Sequence, residues 1–227
     1  MIKAVVFDMD GLMFDTERLV RIAWDHAGRQ MGYDIPSDLF SLTAGMDIPN
    51  TRRIFVQRLG GDFDFFACRK LRVDYMMQYI LDHGLPVKRG LYELLDFLKG
   101  NGYDMAIASS TEADKVEFNL AKAGVSHYFS HLVCGGMVPR GKPAPDIYLK
   151  AVELLGLEPG ECIALEDAPA GILSAYRAGL RPVMVPDLVE PDEATDRILY
   201  AKVSSLSDVV GLLIREGTAG FTLPVIS

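Results

Sequence analysis

Short apolar runs rich in β-branched residues alternate with amphipathic stretches along most of this chain. That alternation constrains the fold more than any other feature of the sequence. The runs fall at 2–7, 105–108, 131–134, 162–165 and 182–185. Runs this short and this apolar read as strands buried on both faces. Helical patterns separate most of them, at 91–99, 113–123, 146–155 and 171–178. Gly100, Gly124, Gly156 and Gly179 are expected to end these helices in the left-handed conformation. Strand and helix in alternation imply an α/β fold, a doubly wound parallel sheet of Rossmann-like topology.

One segment breaks the alternation. Between residues 16 and 83 the pattern is helical throughout, near 16–31, 37–44, 50–59 and 63–81, with no strand signal. An all-helical block inserted directly after the first strand would stand over that strand's carboxyl end, where open α/β sheets bind ligands. The expected organisation is a core domain of 1–14 and 84–227 with an inserted α-helical cap domain of 15–83. The tail, 218–227, reads equally as a short strand or an ordered coil.

With 227 residues, 49% of them hydrophobic, the chain can bury a core and carry an insert, which excludes wholesale disorder. A formal net charge of −8 excludes a general nucleic-acid binder, yet it leaves open a small anionic ligand in a locally positive pocket. No stretch approaches the roughly 18 apolar residues of a membrane helix. The first run, broken by Asp8, is too short for a signal peptide. Cys68, Cys134 and Cys162 have no metal-binding spacing and read as buried free thiols, which fits a reducing compartment and a cytoplasmic location.

The first run ends in Phe7-Asp8-Met9-Asp10-Gly11. Two carboxylates spaced by two project to the same side of an extended chain, and Gly11 permits a sharp turn beside them. Three more polar sets end later segments: Ser109-Ser110-Thr111, Lys142 in a proline-rich loop, and Glu166-Asp167. In a parallel sheet all four converge on one edge. Together they hold what phosphoryl transfer needs: a nucleophile, an acid/base, metal ligands and positive charge for phosphate oxygens. Each also has a plainer reading taken singly. Asp167 fits a helix N-cap, Ser110, Thr111 and Asp114 fit a capping arrangement, and Lys142 fits a solvated loop lysine.

The order and spacing of these motifs resemble the haloacid dehalogenase (HAD) superfamily, in particular its phosphatases and phosphomutases with a helical cap. The resemblance rests on Asp8-x-Asp10-Gly11-x-x-x-Asp15-Thr16, Gly141-Lys142-Pro143-Ala144-Pro145-Asp146-Ile147-Tyr148 and Glu166-Asp167-Ala168-Pro169-Ala170-Gly171, spread over nearly the whole chain. It implies that Asp8 is the nucleophile and becomes an aspartyl phosphate, while Asp10 serves as acid and then base. It implies Mg²⁺ held by Asp8, the backbone carbonyl of Asp10 and Asp167, with Glu166 nearby. Ser109 and Lys142 would hold phosphate oxygens, helped by the backbone N–H of Ser110.

Dehalogenases and phosphonatases of this superfamily lack an acid at the second motif position, so Asp10 favours phosphoester chemistry. The alternative within that chemistry is β-phosphoglucomutase. Val20, the segment 46–49 and Met76-Met77 stand where those mutases carry polar cap residues, which favours a hydrolase. A catalytically silent phosphate-binding module fits less well, because Asp8, Asp10 and Asp167 are all retained. The expectation is a monomeric phosphatase of a small phosphomonoester such as a sugar phosphate.

Overall fold

The computed structural model describes residues 1–43 and 48–218. The chain opens with β1 (Ala4–Phe7) and four helices, α1 (Thr16–Gln30), α2 (Asp38–Thr43), α3 (Ile48–Leu59) and α4 (Phe65–His83). Next come α5 (Leu91–Gly100), β2 (Asp104–Glu112), α6 (Ala113–Lys122), β3 (His131–Gly135) and α7 (Asp146–Leu155). The remainder is β4 (Cys162–Glu166), α8 (Pro169–Arg177), β5 (Arg181–Met184), α9 (Glu193–Asp196), β6 (Ala201–Lys202) and α10 (Leu206–Thr218).

The strands form one sheet in the order β3-β2-β1-β4-β5-β6, every pairing parallel. This is the doubly wound α/β fold expected from the sequence. β1 lies inside the sheet and all four of its residues are buried, as a parallel strand covered on both faces requires. Small side chains on one face of the sheet (Ala4, Ala108, Ala164) share a cluster with Ile147, Tyr148, Ala151 and Val152 of α7 and with Ala175 of α8. Phe7 pairs with Ile107 of β2 on one side and Leu165 of β4 on the other. The residues that follow these partners therefore leave the sheet side by side, which sets the site.

The chain divides into two compact units, one of Met1–Asp15 with the chain from Val87 onward, the other of Thr16–Pro86. Two contacts draw the first unit's boundary: Phe14 forms an antiparallel bridge with Val87, and the Lys88 N–H donates to the Met13 carbonyl at 2.9 Å. The second unit is helical and has its own core, in which Trp24 lies 4.7 Å from Phe55 and 5.7 Å from Phe65, ring centre to ring centre. Asp64 caps α4 by accepting a hydrogen bond from the Ala67 N–H at 3.0 Å.

Some boundaries differ from the sequence reading. Gly124, Gly156 and Gly179 do take positive φ, but Gly100 is the last residue of α5 and the left-handed glycine is Gly102, at φ 74°. Asn101 donates its N–H to the last helical carbonyls, so the left-handed turn comes two residues later, just before β2. β2 runs on to Glu112, which puts Ser109, Ser110 and Thr111 on the strand. α8 starts at Pro169, whose fixed φ suits the first helical position. The edge strand β6 and the helices α9 and α10 had no counterpart in the sequence reading. The expectations for 218–227, Ala44 and the 46–47 portion of 46–49 reach outside the described residues. All three cysteines are buried and free. No helix among the described residues is long and apolar enough to cross a membrane.

Candidate active site

Asp8 follows β1 and Glu166 ends β4, so the register of the two strands places these acids next to each other. Both are buried. Lys142, in the loop before α7, reaches between them: its Nζ lies 2.5 Å from Asp8 Oδ1 and 2.6 Å from Glu166 Oε1. Only 9% of the Lys142 side chain is exposed, so the solvated-lysine reading does not hold. The loss of hydration is offset by two charge-assisted hydrogen bonds. Tyr148, in the first turn of α7, donates its hydroxyl to the same Glu166 Oε1 at 2.5 Å, and its ring lies 5.2 Å from Lys142 Nζ.

Electrostatics follow from this burial. Loss of solvent pushes the Asp8 carboxyl up to about 8, against the pull of Lys142 and with a smaller push from Glu166 and Asp10. Burial drives Lys142 downward, but Asp8 and Glu166 outweigh it and hold the ammonium above its ordinary value. The Tyr148 phenol is raised well above its usual range, by burial first and then by the charges of Glu166 and Asp8. Asp167 is pushed up to about 9 by burial, then by Asp8 and Glu166.

Asp8, Glu166 and Asp167 each offer an oxygen, and these atoms lie within 4.8 Å of one another. Three acids facing a single lysine, two of them with raised proton affinity, form an oxygen-only set suited to a hard divalent cation. Two glycines make room for it. A Cβ on Gly11, which is at φ 83°, would collide with the Asp167 carboxylate, and a Cβ on Gly171 would fall inside the Glu166 carboxylate. Asp167 is not a helix cap: the N-cap of α8 is Ala168, with no side-chain cap hydrogen bond.

The third strand end is β2. Ser109 is buried and Ser110 is exposed. Ser109 Oγ accepts the Thr111 N–H at 3.1 Å, which leaves its own hydroxyl hydrogen available for a ligand oxygen. Thr111 Oγ1 donates to Asp10 Oδ2 at 2.6 Å. The alternative reading of Ser110, Thr111 and Asp114 as a capping arrangement does not hold, since the N-cap of α6 is Glu112 without a side-chain bond. The structure thus joins Asp8, Glu166, Asp167 and Lys142 in one cluster, and ties Asp10 to Ser109 through Thr111. Ser110 presents its carbonyl to Gly135, where a Cβ would collide with it. Sequence reasoning assigned no site role to Thr111 or Tyr148. Tyr148 lay within a quoted motif, and the available signal for Thr111 was a hydroxyl two residues beyond Ser109.

The family model for haloacid dehalogenase-like hydrolases matches residues 2–179, and the chain belongs to that family. It is 33% identical over 227 aligned residues to a probable pseudouridine-5'-phosphatase of Drosophila melanogaster, covering 96% of this chain and 93% of that protein. It is 31% identical to the fructose-1-phosphate phosphatase YqaB of Escherichia coli (strain K12), covering 80% of this chain and 95% of that protein. Among solved structures, a putative β-phosphoglucomutase from Thermotoga maritima superposes with a TM-score of 0.81 at 26% identity, over 94% of this chain and 99% of that one.

Proposed function

We propose that this phosphatase of the haloacid dehalogenase-like family hydrolyses a small, sugar phosphate-like phosphomonoester with Mg²⁺ through an aspartyl phosphate on Asp8. The observation that carries the reading is Lys142 bridging Asp8 and Glu166 at 2.5 and 2.6 Å, beside Asp167. A carboxylate approaching a phosphate dianion meets strong repulsion, and this arrangement brings positive charge to the attacking atom.

In the proposed reaction, Asp8 attacks phosphorus while the ester P–O bond breaks. Asp10 gives its proton to the leaving alkoxide, then takes one from the water that attacks the aspartyl phosphate and restores Asp8. Lys142 holds the nucleophile and a phosphate oxygen, and the Ser109 hydroxyl donates to another. Ser110 would add its backbone N–H. Asp8, Asp167 and the Asp10 carbonyl would hold Mg²⁺, with Glu166 beside them. The cation would supply charge neutralisation for the phosphate oxygens. We place the enzyme in the cytoplasm, a reading supported by its three buried free thiols, and we read it as a monomer. Its partners are small phosphorylated metabolites.

A second reading, a phosphosugar mutase, has one structural observation in its favour. Arg72 of α4 stacks over Trp24 at 5.3 Å, and its Nε is buried without a hydrogen-bond partner. Burial and the neighbouring Arg69 lower its pKa to about 10. Such a cation, with a donor left unpaired, would suit a phosphate group. A panel of phosphorylated metabolites, assayed for phosphate release with Mg²⁺ and with excess chelator, tests the proposal. Metal-dependent release from at least one sugar phosphate supports it. Rapid conversion of β-glucose 1-phosphate to glucose 6-phosphate with little free phosphate, in the presence of catalytic 1,6-bisphosphate, would favour the mutase.

A further inference from the structure

The end of β2 is irregular in a specific way. Ala108 pairs with Val133 and Glu112 pairs with Gly135, so three β2 residues, Ser109, Ser110 and Thr111, stand opposite the single β3 residue Cys134. Such bulges re-aim side chains at strand ends beside active sites. Here the distortion has local support. Gly135 accommodates the Ser110 carbonyl where any side chain would collide, and Ser109 Oγ accepts the Thr111 N–H. The result is that the half-buried Thr111 turns its hydroxyl toward Asp10, donating to Oδ2 at 2.6 Å.

From this geometry we infer that Thr111 is a positioning residue for Asp10, holding the carboxyl group where it can protonate the departing alkoxide. The inference rests on the proposed role of Asp10 as the acid. A carboxyl side chain rotates freely about two bonds, and a donor fixed to the bulged strand removes that freedom at one oxygen. Proton delivery then passes through a group held in place, and the same hydrogen bond ties the acid to the strand end that carries Ser109. Nothing in this arrangement requires Thr111 to touch the substrate.

The leaving group separates this role from a structural one. The parameter kcat/KM reports steps up to departure of the alcohol, and a nitrophenolate leaves without a proton whereas an alkoxide does not. Thr111→Val keeps the shape and the backbone bond to Ser109 but removes the donor. We expect it to lower kcat/KM by about tenfold or more on glycerol 2-phosphate, a fraction of what general acid catalysis contributes. On 4-nitrophenyl phosphate it should change kcat/KM by less than about threefold. Thr111→Ser should recover most of the lost activity, and Thr111→Ala gives the same comparison if the valine variant fails to fold. Equal losses on both esters, or a serine variant no better than valine, would overturn the inference. Asp10→Asn is the companion measurement. If it shows the leaving-group split and Thr111→Val does not, Thr111 is wrong and the acid stands; if Asp10→Asn shows no split, the acid assignment itself fails.

Discussion

Gly11 and Asp167 are 156 residues apart in sequence, yet the Asp167 carboxylate occupies the space where a Gly11 side chain would begin. The glycine of the first motif thus serves two ends. It accepts φ 83°, and it lets the acid of the last motif close on the loop that carries Asp8 and Asp10.

Gly11→Ala is expected to fail on both counts. The left-handed backbone costs roughly 1–2 kcal/mol with a Cβ, and Asp167 must move away. Activity should fall by about 10–100-fold, with a raised Mg²⁺ requirement, as for other disturbances of a metal site's surroundings. Mg²⁺ titrations on purified variant check this. An alanine variant with wild-type Mg²⁺ dependence contradicts the placement of Asp167.

Tyr148 and Lys142 both donate to Glu166 Oε1. Tyr148→Phe keeps the ring beside Lys142 and removes one of these two donors from a buried carboxylate. The expected cost is about 1.5–3 kcal/mol of stability, the range for a hydrogen bond to a charged group. Urea unfolding of the two proteins with chelator present measures it. Equal stability would mean that the hydroxyl contributes nothing.

Asp8 and Asp167 carry folded-state pKa values of about 8 and about 9, above the ordinary carboxylate value of 3.8. Between the two ranges the folded chain binds more protons than the unfolded one. Stability of the chelated protein should therefore be greatest at low pH within this window and fall as pH rises through about 4 to 9. Lys142 is held above its own ordinary value by the charges of Asp8 and Glu166, and that contribution is lost only at still higher pH. A divalent cation competes with those protons, so its stabilising effect should grow with pH. Thermal melts near pH 5 and about pH 8.5, with Mg²⁺ and with chelator, test both signs. Chelated melts that rise across the window, or a cation effect largest near pH 5, would contradict the account.

The parallel sheet was legible because strands buried on both faces leave uninterrupted apolar runs, as Val5 and Val6 do in β1. The order of the polar sets was legible too, since each ends such a run or a helix-starting loop. β6 was not: two residues at a sheet edge carry no pattern to read. The signal for α10 was present, with Leu206, Val209, Leu212 and Leu213 all buried on one side of a helix. The bonds inside the site were beyond sequence reading for a different reason. Thr111 meets Asp10 only because of a bulge that no periodicity announces, and Glu166 meets Tyr148 only through the packing of α7 on the sheet.

The claim on which the rest depends is that Asp8 attacks phosphorus, and Asp8→Asn tests it most directly. The measurement is the rate of phosphate release from a small phosphomonoester at saturating Mg²⁺, by wild type and variant, alongside their melting transitions. An amide cannot serve as the attacking carboxylate, so the account predicts a loss of at least ~10³-fold, about 4 kcal/mol or more of transition-state stabilisation, with the fold retained. A folded variant that keeps about a tenth of wild-type activity would contradict it.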